Sequence, residues 1–208
     1  MDRILSAAAS RGLFGGSFDP PHAAHRALAS AALEQLGLDE LVWAPAGQPW
    51  QKAGRMLQPA ADRLEMLRLL VADEPRFHID ERELHRAGPS YTVETLRELH
   101  AEHPGTRWWL VIGQDQYARF DTWRDWREIV ALAGIAVAAR DGRAVRAPDG
   151  LAGCPHALRI LEMPALPLSA TAVRERAAAG LDVTALVGAP VARYIARHHL
   201  YRGDQAAA

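Results

Sequence analysis

Two histidines stand three residues apart in the stretch GGSFDPPHAAH, residues 15 to 25, directly after a short apolar run. Two glycines and an Asp-Pro-Pro turn precede them, a combination that is typical of a strand ending and a helix beginning. On such a helix His22 and His25 share one face, and helical steps from them meet only apolar residues as far as Leu36. The first turn of a helix favours anions. We therefore interpret the pair as a phosphate clamp.

Other interpretations of the histidine pair stay open. An isolated H-x-x-H is more often a pair of packed or capping side chains. A metal pair is the third interpretation, but the H-E-x-x-H base and an evident third ligand are missing nearby. The glycine spacing matches neither the dinucleotide fingerprint nor the P-loop, because no Lys follows the glycines. A P-loop kinase or ATPase is therefore disfavoured.

A second helix start near the end of the chain resembles the first. The stretch LPLSATAVRER follows the candidate strand LRILEM and places Ser169 and Thr171 at the start of a helix, with Arg174 one turn further on the same face. Read alone, the hydroxyls are caps and the arginine is a surface residue. In a parallel sheet, however, helices that follow strands begin at the carboxyl edge, so the two starts can converge. The two helix starts together could bind one polyphosphate.

The composition limits the class of protein. Charged residues make up 24% of the chain and the formal net charge is −1, which offers no general attraction to nucleic acid or anionic lipid. Cys154 is the single cysteine and cannot form an internal disulfide or a Cys-rich metal site. No secretory leader and no run of about 18 apolar residues is found. We expect a soluble cytoplasmic protein without a membrane partner.

Short apolar runs alternate with helical periodicity, which predicts an α/β fold. We expect a Rossmann-like doubly wound parallel sheet with helices on both faces. The predicted strands are 12–15, 40–45, 76–80, 108–113, 135–140 and 158–163; the predicted helices are 22–36, 60–72, 92–102, 123–132, 170–179 and 190–198. Residues 46–59 and 141–156 are expected to be loops. The whole chain, 1–208, is expected to be one domain, with a core of about 11–165 and a small C-terminal helical part of about 166–202.

Five short motifs occur in a defined order: GGSFDPPHAAH, DRLEML (62–67), GPSYTVETL (88–96), IGQD (112–115) and WRDW (123–126). With them the chain resembles the nucleotidyltransferases that carry H-x-G-H and I-S-S-T-x-x-R motifs. Within that superfamily the resemblance is greatest to the bacterial nicotinate-nucleotide adenylyltransferases, from Gly12 to Tyr201. It implies adenylyl transfer from ATP to nicotinate mononucleotide in NAD biosynthesis, giving deamido-NAD and pyrophosphate by in-line attack without a covalent intermediate.

The resemblance also implies roles for individual residues. His22, His25 and Arg174 would be catalytic through the ATP phosphates and the leaving pyrophosphate. The further ATP-binding residues would be Gly15, Gly16, Ser17, Phe18, Lys52, Ser169 and Thr171. The residues around nicotinate mononucleotide would be Ser90, Tyr91, Thr92, Gly113, Asp115 and Trp123, with Trp123 stacking on the pyridine ring. Mg²⁺ would arrive with ATP, held by phosphates and water, so we name no metal ligand.

Three departures from the family motifs leave alternatives open. Ala24 replaces the Gly of H-x-G-H, Ala170 replaces the second Ser of I-S-S-T, and Gln51 stands where a His often precedes Lys52. The acceptor could instead be nicotinamide mononucleotide or pantetheine phosphate, the donor could be CTP, or the protein could be a nucleotide-binding regulator without turnover. Self-association into a homo-oligomer is also left open.

Overall fold

Six parallel strands form one sheet in the computed structural model, which describes residues 9–48, 57–139, 145–164 and 166–202. The strands are β1 (Ser10–Gly16), β2 (Glu40–Pro45), β3 (Phe77–Ile79), β4 (Arg107–Gly113), β5 (Ala133–Ala138) and β6 (Leu158–Leu161). Their order across the sheet is β3-β2-β1-β4-β5-β6. This is the order of doubly wound dinucleotide-binding sheets. The predicted fold class is confirmed.

The strand order reverses between β1 and β4. From β1 the chain moves outward through β2 to β3, and it then returns to the other side of β1 with β4 and continues to β6. Connections from the two central strands therefore leave in opposite directions and open a crevice at their carboxyl ends. Open α/β sheets bind ligands in this crevice.

Helices cover both faces of the sheet. They are α1 (Ala23–Leu36), α2 (Ala60–Val71), α3 (Arg82–His85), α4 (Thr92–Glu102), α5 (Gln114–Tyr117), α6 (Trp126–Leu132), α7 (Ala170–Ala178), α8 (Thr184–Val187) and α9 (Ala189–Arg197). Apolar side chains of α1, α2, α7, α8 and α9 form one core, and those of α4, α5 and α6 form the other. The C-terminal helices thus belong to the same core as α1 and α2. The assignment of the whole chain to one domain stays a prediction.

Alternation along the strands explains the two cores, since successive side chains of a strand point to opposite faces. Trp108 and Trp109 are neighbours in β4, yet they are 1% and 8% exposed and belong to different cores. Gly134 pairs with Trp109 across the β4–β5 register. A Cβ at Gly134 would lie 2.6 Å from the Trp109 ring, so this position has room only for glycine.

The structure differs from the predicted elements in short segments. Helix α6 begins at Trp126, not at residue 123, because Asp125 adopts a left-handed backbone conformation with φ 50° and a 3₁₀ turn at Phe120–Thr122 precedes it. Helices α3, α5 and α8 were not predicted. Each is a single turn, too short to show a helical period.

The edge strand β6 is capped by side chains. The amide of Gln35 donates to the carbonyl of Glu162 at 2.8 Å and accepts from its N–H at 2.9 Å. The guanidinium of Arg159 donates to the carbonyl of Leu158 at 3.3 Å. Across the described ranges, no helix is long and apolar enough to cross a lipid bilayer.

Candidate active site

A cavity of about 580 Å³ opens at the carboxyl ends of β1 and β4, where the strand order reverses. A cavity of this size falls within the range of small-molecule sites. The predicted site residues that line it are Gly15, Gly16, Ser17, Phe18, His22, His25, Ser90, Thr92, Gly113, Asp115, Trp123 and Ser169. Ala24 and Ala170, the two alanines that depart from the family motifs, line it as well. Lys52 and Gln51 lie outside the described residues.

The turn after β1 is tightly built. Phe18 has φ 47°, in the left-handed region that few non-glycine residues adopt, and its ring is 1% exposed. This ring lies edge-on to Phe14 at 5.5 Å and to His25 at 5.3 Å. A Cβ at Gly16 would lie 3.0 Å from the Phe18 ring, so a larger residue here would require the ring to shift by a few tenths of an ångström. The Phe18 ring is therefore packed between the end of β1 and the start of α1.

His22 and His25 form one unit at the start of α1. His22 precedes the helix in an extended conformation, and its backbone N–H donates to Nδ1 of His25 at 3.2 Å. The two rings are stacked, with centroids 3.6 Å apart. Because Nδ1 of His25 accepts, the neutral ring carries its proton on Nε2 and is a donor there. The capping interpretation and the ligand interpretation are thus compatible in the same pair.

The start of α7 comes to the same place. Ser169 is the N-cap residue, and its hydroxyl accepts from the N–H of Ala172 at 3.2 Å. The Arg174 guanidinium donates through Nη1 to the carbonyl of Asp19 at 2.7 Å and through Nη2 to the hydroxyl of Thr171 at 2.8 Å. Asp19 lines the cavity, whereas Arg174 and Thr171 are not among the residues that line it. The predicted convergence of the two helix starts is confirmed, while the roles of these residues toward a ligand stay predictions.

Residues at the start of α4 also line the cavity. Ser90 accepts from the N–H of Gly47 at 3.2 Å, and Thr92 begins the helix at the cavity. The first N–H groups of a helix have no acceptor within it, so this end offers donors to an anion. Tyr91 is the exception among the residues predicted here, because its ring lies under the Arg124 guanidinium at 4.5 Å and does not line the cavity.

Trp123 lies between the 3₁₀ turn and α6. Its ring leans on Phe120, with centroids 5.1 Å apart. Within the described part of the chain its indole Nε1 is buried without a hydrogen-bond partner. The ring lines the cavity beside Gly113 and Asp115, which come from the end of β4 and from α5.

Glu83 is a buried acid in the cavity wall that the sequence analysis missed. Burial raises the pKa of its carboxyl, against hydrogen bonds from Thr95 and Ser90 and the positive charge of Arg86. The Thr95 hydroxyl donates to it at 2.6 Å. Its contacts are with residues of α4 and of the turn before α4. Spacing alone does not reveal this, since Glu83 lies in a single-turn helix with no pattern of its own.

Within the described ranges, no group of three or more His, Cys, Asp or Glu side chains is placed to hold a metal ion. The cavity is lined by three acids: Asp19, Glu83 and Asp115. Asp19 accepts from the Tyr201 hydroxyl and Glu83 accepts from Thr95. These carboxylates are already engaged within the protein.

Comparison with known proteins identifies relatives over most of the chain. Residues 13–176 match the cytidylyltransferase-like family. A protein of Methylibium petroleiphilum named "probable nicotinate-nucleotide adenylyltransferase" is 46% identical, covering 91% of each chain. One of Albidiferax ferrireducens with the same name is 49% identical, covering 92% of this chain and 97% of the relative.

The fold is shared with solved structures. The Plasmodium falciparum nicotinic acid mononucleotide adenylyltransferase complexed with NaAD superposes with a TM-score of 0.78. It is 16% identical, and the match covers 93% of this chain and 97% of that one. At this identity the likeness concerns the fold alone. The family follows from the bacterial relatives: the chain is a cytidylyltransferase-like protein and belongs to the nicotinate-nucleotide adenylyltransferases.

Proposed function

We propose that the protein transfers the adenylyl group of ATP to nicotinate mononucleotide, giving deamido-NAD and pyrophosphate. The observation that carries the proposal is the meeting of two helix starts at one cavity. The His22–His25 pair opens α1, and Arg174 of α7 is held against Asp19 by a 2.7 Å hydrogen bond. The bacterial relatives named above carry the same activity in their names.

The chemistry needs no nucleophile from the protein. The mononucleotide phosphate is already an anion near neutral pH and attacks the α-phosphorus of ATP in line. As the new P–O bond forms, the bond to the bridging oxygen breaks and pyrophosphate leaves with its electron pair. Positioning and charge stabilisation therefore supply the catalysis.

Each part of the site has a task in this scheme. The imidazoles of His22 and His25 donate hydrogen bonds to the triphosphate, and Arg174 offsets the charge that develops on the leaving pyrophosphate. The turn of Gly15, Gly16 and Ser17 lies alongside the triphosphate. Ser169 and Thr171 hold the start of α7 and the guanidinium in place. Lys52 would add a further phosphate contact.

The acceptor lies on the α4 side. The first N–H groups of α4, at Thr92, favour a nicotinate carboxylate over a neutral carboxamide. Ser90 and Asp115 border the same space, and Gly113 lets the nucleotide approach the backbone. The Trp123 ring stacks on the pyridine.

Mg²⁺ enters with ATP. The engaged carboxylates of Asp19 and Glu83 fit a cation that is carried by phosphates and water instead of protein ligands. When bound, it neutralises charge on the phosphate oxygens.

The test is pyrophosphate release from ATP with nicotinate mononucleotide, compared with nicotinamide mononucleotide, pantetheine phosphate and CTP. We expect release with ATP and the nicotinate form, and a lower kcat/KM with the amide. Arg174→Ala serves as the impaired control. Binding of both nucleotides without release would refute the proposal and identify a regulator. Equal kcat/KM for acid and amide would remove the role given to α4.

A further inference from the structure

A buried cluster of polar and charged side chains joins the β1–α1 turn, whose Asp19 lines the cavity, to α2 and to the turn after α9. Arg63 of α2 is 2% exposed and Asp19 is 3% exposed. Arg63 donates to the carbonyl of Ser17 at 2.7 Å and to that of Gln58 at 3.1 Å. The Tyr201 hydroxyl donates to Oδ1 of Asp19 at 2.7 Å. The scheme above gives Arg63 and Tyr201 no task.

The cluster is electrostatically coupled. Burial raises the pKa of the Tyr201 hydroxyl, and the negative charge of Asp19 raises it further, whereas Arg174 and Arg63 act in the opposite direction. Burial lowers the pKa of Arg63, and Asp19 opposes this effect. Buried charges of this kind depend on their partners. The Asp19 carboxylate thus accepts a hydrogen bond from the Tyr201 hydroxyl and interacts electrostatically with the buried Arg63.

The backbone on both sides of this contact is unusual. Phe18, the neighbour of Asp19, has φ 47°, and Tyr201 itself has φ 63°. Non-glycine residues adopt this region only where the surrounding structure holds them there. Both ends of the Tyr201–Asp19 hydrogen bond are therefore closely constrained.

Asp19 joins this cluster to the site. Its carboxylate accepts from Tyr201, and its own carbonyl accepts from Nη1 of Arg174 at 2.7 Å. We propose that Tyr201 is a positioning residue: by fixing Asp19 it sets the place of the Arg174 guanidinium at the phosphates. This inference rests on the proposed function and adds the turn that follows α9 to the active site.

The chain offers a matched control. Tyr194 of α9 also donates its hydroxyl to a carboxylate, Oδ1 of Asp62, at 2.8 Å. Asp62 lies on α2 and does not line the cavity. Tyr201→Phe and Tyr194→Phe therefore each remove one hydroxyl–carboxylate hydrogen bond from the C-terminal segment, and only the first of these bonds reaches Asp19.

The test measures kcat, both KM values and the melting temperature of these two variants. We expect Tyr201→Phe to lower kcat about tenfold or more, as a displaced catalytic group does, with the KM for nicotinate mononucleotide unchanged. Tyr194→Phe should keep the kcat of the unmodified protein. A melting temperature that falls in both variants with no difference in kcat would overturn the proposal.

A double-mutant cycle with Arg174→Ala separates positioning from general damage. If Tyr201 acts through Arg174, adding Tyr201→Phe to Arg174→Ala should change kcat less than about twofold, since residues acting as a unit are not additive. If Tyr201→Phe lowers kcat as much in the Arg174→Ala background as in the unmodified protein, the inference is overturned. Should Tyr201→Phe fail to fold, Asp19→Ala removes the acceptor of the same bond and enters the same cycle, with the same two outcomes.

The two proposals fail in different ways. An unmodified protein that releases no pyrophosphate refutes the proposed function. An active protein whose Tyr201→Phe variant retains kcat refutes the positioning role alone.

Discussion

Replacing His25 tests whether the histidine pair is a helix cap, a ligand site, or both. Nδ1 of His25 accepts from the N–H of His22 at 3.2 Å, and this leaves Nε2 as a donor. Alanine removes both functions. Asparagine keeps an acceptor oxygen close to the position of Nδ1, as in a capping box, but has no counterpart of Nε2 at the far side of the ring.

Loss of the capping function and loss of the ligand-binding function should have different measurable effects. Loss of a cap hydrogen bond costs about 1 kcal/mol. For a chain of this length, that lowers the melting temperature by about 2–4 °C. Loss of a donor to developing phosphate charge costs about 10²–10³ in kcat. His25→Ala should show both losses, whereas His25→Asn should show the loss of kcat with little change in melting temperature.

Thermal melting by circular dichroism and pyrophosphate release at saturating substrates check the two effects separately. The reasoning is refuted if His25→Asn turns over as fast as the unmodified protein, because the Nε2 donor would then be unnecessary. A His25→Asn protein as unstable as His25→Ala would refute the capping role. The His25→Ala and His25→Asn variants together thus separate the capping contribution of Nδ1 from the catalytic contribution of Nε2.

Three further predictions concern the acceptor side of the cavity. A Cβ at Gly47 would lie 2.3 Å from the Glu83 carbonyl oxygen, a backbone atom that cannot move aside. Gly47→Ala should therefore displace the loop from Ser90, lower the melting temperature and raise the KM for nicotinate mononucleotide about tenfold or more. Gly113→Ala, which meets nothing within 4 Å, should raise the same KM with no loss of melting temperature. Burial raises the pKa of Glu83, so the folded state is favoured at low pH and loses this advantage as pH rises through the raised pKa. Glu83→Gln cannot ionise, and its melting temperature relative to the unmodified protein should increase from about pH 4 to about pH 7; a constant difference would contradict the raised pKa.

The regular part of the fold follows from local patterns. Each strand from β1 to β6 overlaps a predicted apolar run, and each helix of seven residues or more overlaps a predicted one, because burial imposes the periods that the sequence displays. The start of α6 was misplaced because a left-handed Asp125 interrupts the helical pattern without glycine or proline to mark it. Single-turn helices lack a period altogether.

The candidate site divides in the same way. His22, His25 and Ser169 were found from the sequence because helix starts have local signatures. Arg63 was noted only as part of the motif DRLEML, and Tyr201 only as the last residue of the family resemblance. Their contacts with Ser17 and Asp19 join positions 46 and 182 residues apart. Such pairings depend on how the elements pack, and no local pattern encodes them.

The side chains that cap β6 also have a consequence for the protein in a crowded solution. The carbonyls of residues 157 and 161 accept from the N–H groups of residues 135 and 139, so by strand alternation residues 158, 160 and 162 turn their backbone groups away from β5. The Arg159 side chain donates to the carbonyl of residue 158, and the Gln35 amide pairs with both backbone groups of residue 162. Between them lies Ile160, which is 44% exposed, so the open part of this edge is very short. A strand from another chain needs several consecutive backbone hydrogen bonds to pair stably with an exposed edge. Two polar side chains thus hinder the addition of a strand from another chain at the β6 edge, where the exposed Ile160 would otherwise favour it.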